Sequence, residues 1–211
     1  PILSIGPVAD GNVIPIDAWQ TKAPDTARGI PTIIGTTRHE SVGFFSTPVS
    51  SPVKNDTDLI ERIQSGVVLG QFSVTEIEKV LDAYRQALPG YSSQELMVRV
   101  ATDLGFWRSA LRQSQMLHSL ASSAVYMYEC AWKIPCHGGS WAPHGVDIPL
   151  IFNVESYGVA WDGKDSDAQR RAADPHARWK AVSRRMITAW TQFARTGDPS
   201  SPQLKWPAFD P

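Results

Sequence analysis

The chain has 211 residues, 42% of them hydrophobic and 19% charged, with 20 basic residues against 21 acidic ones. This is globular composition, and the length suits one large domain or two small ones with a sizeable core. A formal net charge of −1, with no long basic block, argues against a nucleic-acid or membrane-surface binder, and no apolar run approaches the about 20 residues of a membrane-spanning helix. The start, "PILSIGPVADG", has no basic stretch followed by an apolar core, so no signal peptide is expected there. With no initiator Met, the expectation is a processed chain or a piece of something longer.

Residues 1–29 read as irregular chain, because Asp10-Gly11 is a turn signal and Pro7, Pro15 and Pro24 interrupt any regular element. "IPTIIGTT", 30–37, is a short β-branched run that predicts a buried strand ending at Gly35. "RHESVGFF" follows as a turn, and residues 46–56 read as a loop. Ser73 with Glu76 makes a capping-box pattern, with Ile77, Val80, Leu81, Tyr84 and Leu88 at helical spacing behind it and Pro89-Gly90 as a stop. Ser92 with Glu95 repeats the pattern ahead of Leu96, Val100 and Leu104, and a further helix is expected over 107–121.

"AVYMYECAW", 124–132, reads as a second strand. "GGSWAPHG" is a loop. A long helix is expected from Asp174-Pro175, with an apolar stripe of Trp179, Val182, Met186, Trp190 and Phe193, ended by Gly197 and Pro199. Arg170-Arg171 and Arg184-Arg185 read as solvated helix faces. There is no internal repeat. Two strands do not make a free-standing parallel sheet, so the expectation is an α/β protein whose remaining strands come from outside this chain.

Cys130 and Cys136 are the only cysteines. They are compatible with a bridge across a short loop or with two free thiols, and that choice stays open. Together with His137 and His144 they lack the paired spacing of a zinc site, so no metal or other cofactor is expected.

The candidate chemistry lies in two turns. Glu40 follows the first strand and His144 follows the second. Open α/β sheets form their sites at the carboxyl ends of strands. A carboxylate on one imidazole nitrogen fixes the tautomer and leaves the other nitrogen to take a proton from a nucleophile. The separation alone is uninformative, since a surface glutamate and a hydrogen-bonded loop histidine are the plain readings of the same two residues.

Longer strings add to this. "VADGNVIPID", "IPTIIGTTRHESVGFF", "VYMYECAW", "PHGVDIPLIF" and "WTQFARTGDPSS…WPAFDP" resemble the type-B carboxylesterase (cholinesterase/carboxylesterase) family, in that family's order and over nearly the whole chain. The resemblance implies an α/β-hydrolase fold and a serine esterase with a Ser-Glu-His triad. Gly35 through Glu40 match the family's Gly-x-x-x-x-Glu stretch. His144-Gly145, Asp147 and Pro149–Phe152 match the turn of its catalytic histidine. Phe193, Ala194 and Thr196–Pro199 match its "FA.TGDP" string. His39 and Ser41 depart from the pattern, which usually has Asp and Gly beside the acid. His39 is read as a turn or pocket-rim residue, because nothing in the sequence places a carboxylate beside it.

No Gly-x-Ser-x-Gly occurs in the chain, and "CHGGS" falls in the wrong place for an oxyanion loop. In the family both elements precede the matched region. The resemblance therefore implies that residues 1–211 are the C-terminal part of a single hydrolase domain. The serine and oxyanion donors would lie in an N-terminal part that also completes the sheet. The implied partners are a small-molecule carboxylic ester and that N-terminal part, with no nucleic acid. Family members are more often secreted or periplasmic than cytoplasmic. The alternative is a non-catalytic, cholinesterase-like binding or adhesion module. Trp141, Phe44, Phe45, Phe106 and Trp107 are candidates for pocket walls or, more plainly, for core. Asp103, in "TDLGFW", reads as structural, and Asp147 as a helix cap.

Overall fold

The computed structural model describes residues 8–44, 52–65, 72–120, 124–134, 139–155 and 166–211. Phe45 and Cys136 lie outside them, as does the side chain of Phe44. Two parallel strands, β1 (Thr32–Thr37) and β2 (Val125–Cys130), pair in register from Thr32 opposite Val125 to Thr37 opposite Cys130. The crossover between them holds α1 (Ser41–Phe44), α2 (Asp56–Ser65), α3 (Val74–Ala87), α4 (Ser93–Thr102) and α5 (Arg108–His118). After β2 come α6 (Asp147–Ile151), α7 (Ser166–Ala173) and α8 (Trp179–Thr196). The chain is thus α/β and helix-rich, as expected.

Both capping boxes form. Ser73 accepts from the Glu76 N–H and Ser92 from the Glu95 N–H, while each glutamate reaches back to its serine's N–H. Helix α2 lies where a loop was expected to end. Asn55 supplies its start, its side-chain oxygen accepting from the Asp58 N–H at 2.9 Å. Leu59 and Ile63 of α2 join Ile77, Leu81, Leu96 and Val100 in one buried cluster. Helices α4 and α5 are one continuous run joined by a π-helical turn, Asp103–Trp107.

The sheet alternates between two faces. Val125 and Ile34 pack with Leu117 of α5. Tyr126 and Tyr128 meet Phe193 and Trp190 of α8 edge to face. The outer edge of β2 is covered by the C-terminal segment. The Trp206 indole donates to the Met127 carbonyl at 3.0 Å and the Phe209 N–H to the Val125 carbonyl at 2.7 Å. Among the described residues no strand pairs with the outer edge of β1.

Three expectations need correction. Strand β1 runs through Gly35 to Thr37, because a residue without a side chain is what its partner Tyr128 requires there. Helix α8 starts at Trp179 rather than at Pro175; Asp174 still acts as a cap from a distance, accepting from the Trp179 N–H at 3.0 Å. Arg170 is not on a solvated face. It is buried and paired with Asp167, whereas Arg171 is exposed. Among the described residues no helix is long and apolar enough to cross a membrane.

Candidate active site

Strand β1 ends in a turn, and this turn meets a second one that lies farther along the chain beyond β2. Residues 39–42, just past β1, lie alongside residues 142–144. The His39 N–H donates to the Ala142 carbonyl at 3.1 Å and the His144 N–H to the Val42 carbonyl at 3.1 Å, with a parallel bridge between His39 and Pro143. Gly145 turns the chain in the left-handed region, at φ 71°. From these two turns Glu40 and His144 face each other, and the Glu40 Oε2 to His144 Nδ1 distance is 2.5 Å.

Glu40 is 5% exposed, and both of its oxygens are engaged. Oε1 accepts the Thr37 N–H at 2.5 Å while Oε2 faces the imidazole. A carboxylate is an acceptor only, so the proton of this contact belongs on Nδ1. Acid–base exchange with a reacting group then falls to Nε2. The His144 side chain is 35% exposed, enough to be reached. Phe106, brought forward by the π turn, stands with its ring centre 5.7 Å from that of His144. π turns inside α-helices recur at functional sites.

The residues that depart from the expected pattern are braces. The Ser41 hydroxyl donates to the Val98 carbonyl at 3.1 Å and its N–H to the Thr102 hydroxyl at 3.3 Å, so the turn that carries Glu40 is tied to α4. His39 is neither exposed nor on a rim. It is 7% exposed, its Nδ1 accepts the Ala142 N–H at 2.8 Å, and its ring meets Trp141 edge-on at 5.1 Å. Burial first, then Lys133 and Arg38, hold its pKa down to about 4 against the pull of Glu129, so the imidazole is neutral at pH 7. Trp141 is core, packed with Val42 and Val98.

Asp147 is not a helix cap. It is the first residue of α6 and makes no capping bond. Its Oδ2 instead accepts the Tyr128 hydroxyl at 2.6 Å. Burial first, then this carboxylate, push the Tyr128 hydroxyl up, so it stays a donor. Sequence reasoning missed Tyr128. Its importance lies in the register that puts it beside Gly35, which nothing local encodes. Asp103 accepts from the Tyr84 hydroxyl at 2.8 Å and from Arg99 Nε at 2.9 Å. Arg99 also reaches Glu129, whose other oxygen takes Arg38. This ion network supports the strand ends.

A profile of the carboxylesterase family matches residues 1–211. The chain belongs to the carboxylesterase family. It is 31% identical to the para-nitrobenzyl esterase of Bacillus subtilis over 96% of this chain and 37% of that protein. It is 28% identical to the bile salt-activated lipase of Bos taurus over 99% of this chain and 34% of that one. Among solved structures it superposes on the Geobacillus stearothermophilus carboxylesterase EST55 with a TM-score of 0.65 and 29% identity, over 96% of this chain and 39% of that one. The chain therefore spans about a third of the length of the curated carboxylesterase-family relatives it matches. Its architecture is that part of the α/β-hydrolase fold.

Proposed function

We propose that the chain is the acid–base portion of a serine carboxylesterase, one piece of a single hydrolase domain. The observation that carries this reading is the 2.5 Å Glu40–His144 contact at the ends of neighbouring parallel strands. In the proposed reaction His144 Nε2 takes the proton of a serine hydroxyl as that oxygen attacks an ester carbonyl. The imidazolium so formed is stabilised by Glu40 and returns the proton to the leaving alcohol oxygen. Water then attacks the acyl-enzyme by the same route, and the carboxylic acid departs. Serine and oxyanion donors come from the N-terminal part of the same enzyme. The outer edge of β1, with which no strand pairs among the described residues, and the family relatives' greater length support that assignment.

The test uses full-length protein. A fluorophosphonate probe should label one serine outside residues 1–211, and the protein should hydrolyse short p-nitrophenyl esters. His144→Asn should abolish turnover and slow labelling by orders of magnitude. Labelling unaffected by His144→Asn, or the absence of ester hydrolysis in the unaltered protein, would overturn the reading. The 211-residue chain alone should show no serine-dependent turnover.

A further inference from the structure

The geometry points to His39 as a positioning residue, a neutral imidazole whose Nδ1 clamps the turn carrying His144 against the turn carrying Glu40; this rests on the triad reading above. Apart from the Glu40–His144 contact itself, three hydrogen bonds among the described residues join the two turns. Two are made by main-chain groups at both ends. The third is the Ala142 N–H to His39 Nδ1 bond, 2.8 Å long, and of these three it is the one that depends on a side chain. It lies immediately beside the pair it would align, since His39 precedes Glu40 and Ala142 stands two residues before His144.

The clamp has a specific chemical requirement. An imidazole accepts only through its unprotonated nitrogen, so the proton of neutral His39 must sit on Nε2. The imidazolium carries N–H groups at both nitrogens and has no acceptor left. Protonation would therefore set two N–H groups against each other between the turns. The charged groups around the ring keep this from happening near neutrality. Lys133, Arg38 and Arg99 oppose a second proton, and Glu129 favours one; Glu95 also faces the ring. The edge-on Trp141 ring and the 7% exposure of His39 remove the water that would otherwise substitute for the acceptor. A displaced residue 142 moves His144, and misalignment of about 1 Å at an acid–base pair is enough to cost on the order of 10²-fold in rate.

Two variants of the full-length enzyme test this. His39→Asn places an amide oxygen near the position of Nδ1 and keeps the acceptor. His39→Leu fills the space without one. The Asn variant should keep kcat within about threefold of the parent, while the Leu variant loses about tenfold or more in kcat with KM little changed. A folded Leu variant with full kcat, or equal losses in both variants, would overturn the clamp while leaving esterase function intact. An unaltered enzyme without esterase activity would overturn the function itself. Should the Leu variant fail to fold, histidine-labelled parent enzyme decides the matter by NMR. The Nδ1 proton of His144 should shift in the same acid titration step as His39. A His144 signal that passes through that step unchanged rejects the clamp.

Discussion

The ring of Tyr128 fills the space that a side chain on Gly35 would occupy: a Cβ at residue 35 would stand 2.0 Å from Tyr128 Cε1. The two residues face each other across the parallel ladder, and the far end of the ring holds Asp147, three residues after His144. The strand glycine is therefore linked through one aromatic ring to the turn that carries the histidine. Gly35→Ala in the full-length protein should cost about 1–3 kcal/mol by overpacking, read by chemical denaturation. Adding Tyr128→Ala should recover part of that loss, and strict additivity in the double-mutant cycle would contradict the contact.

Glu40→Gln tests orientation more than charge. The amide keeps one oxygen to accept the Thr37 N–H and sets its NH2 against His144 Nδ1, which favours the imidazole tautomer with its proton on Nε2. Loss of kcat in the full-length enzyme should be on the order of 10³–10⁴-fold, with KM nearly unchanged. A Gln variant within tenfold of the parent would leave Glu40 without an orienting role.

Stability should fall with acid in two windows. His39 titrates near 6.5 when unfolded and near 4 when folded, so the unfolded chain binds more protons between those values. Stability is then lost as pH falls from about 6.5 to 4, by up to about 1.4 kcal/mol per unit. Below 4.5 a second loss begins. Burial raises the Glu129 carboxyl, yet Arg38 and Arg99 outweigh it, and the net shift is downward from 4.5. Its stabilisation is present above the unfolded value and lost as pH falls through the folded one. In urea titrations, His39→Asn should flatten the first window and Glu129→Gln the second. Unchanged slopes would show that neither group titrates differently on folding.

Trp206 covers the outer edge of β2 with an indole hydrogen bond to Met127 and ring contacts to Tyr128 and Trp190. Its ring is half-buried, so Trp206→Ala should cost on the order of 2–3 kcal/mol. It should also raise aggregation, because a strand edge becomes available. A variant that matches the parent in both thermal melting and light scattering would remove the edge-covering role.

Ser73→Ala and Ser92→Ala should each cost about 1 kcal/mol and leave kcat as it was, because their capping boxes lie on exposed helix starts. Melting temperature and kcat measured together separate them from the site variants. A fall in kcat in either would mean that these helix starts are coupled to the reaction.

What was legible in the sequence was what is encoded locally. Both strands, both capping boxes and the stripe of α8 follow from patterns within a few residues. Helix α2 escaped because its signal is one asparagine ahead of a charged segment. Within the site, Glu40 and His144 stood out through family strings, not through spacing. Their braces did not stand out. Tyr128 matters because of a pairing register, and His39 because of an amide 103 residues away. Asp147 has the composition of a cap, but a tyrosine from β2 claims its carboxylate. Long-range partners of this kind leave no local trace.

The stitching of residues 39–42 to 142–144 by main-chain groups also bears on how such a protein changes over generations. Backbone amides and carbonyls are the same whatever side chains they carry, so point replacements along these turns, His39 excepted, need not move Glu40 relative to His144. An inserted or deleted residue is different in kind. It would put carbonyl opposite carbonyl and turn one functional side chain away from the other. Length, more than identity, is what drift in these two turns must preserve.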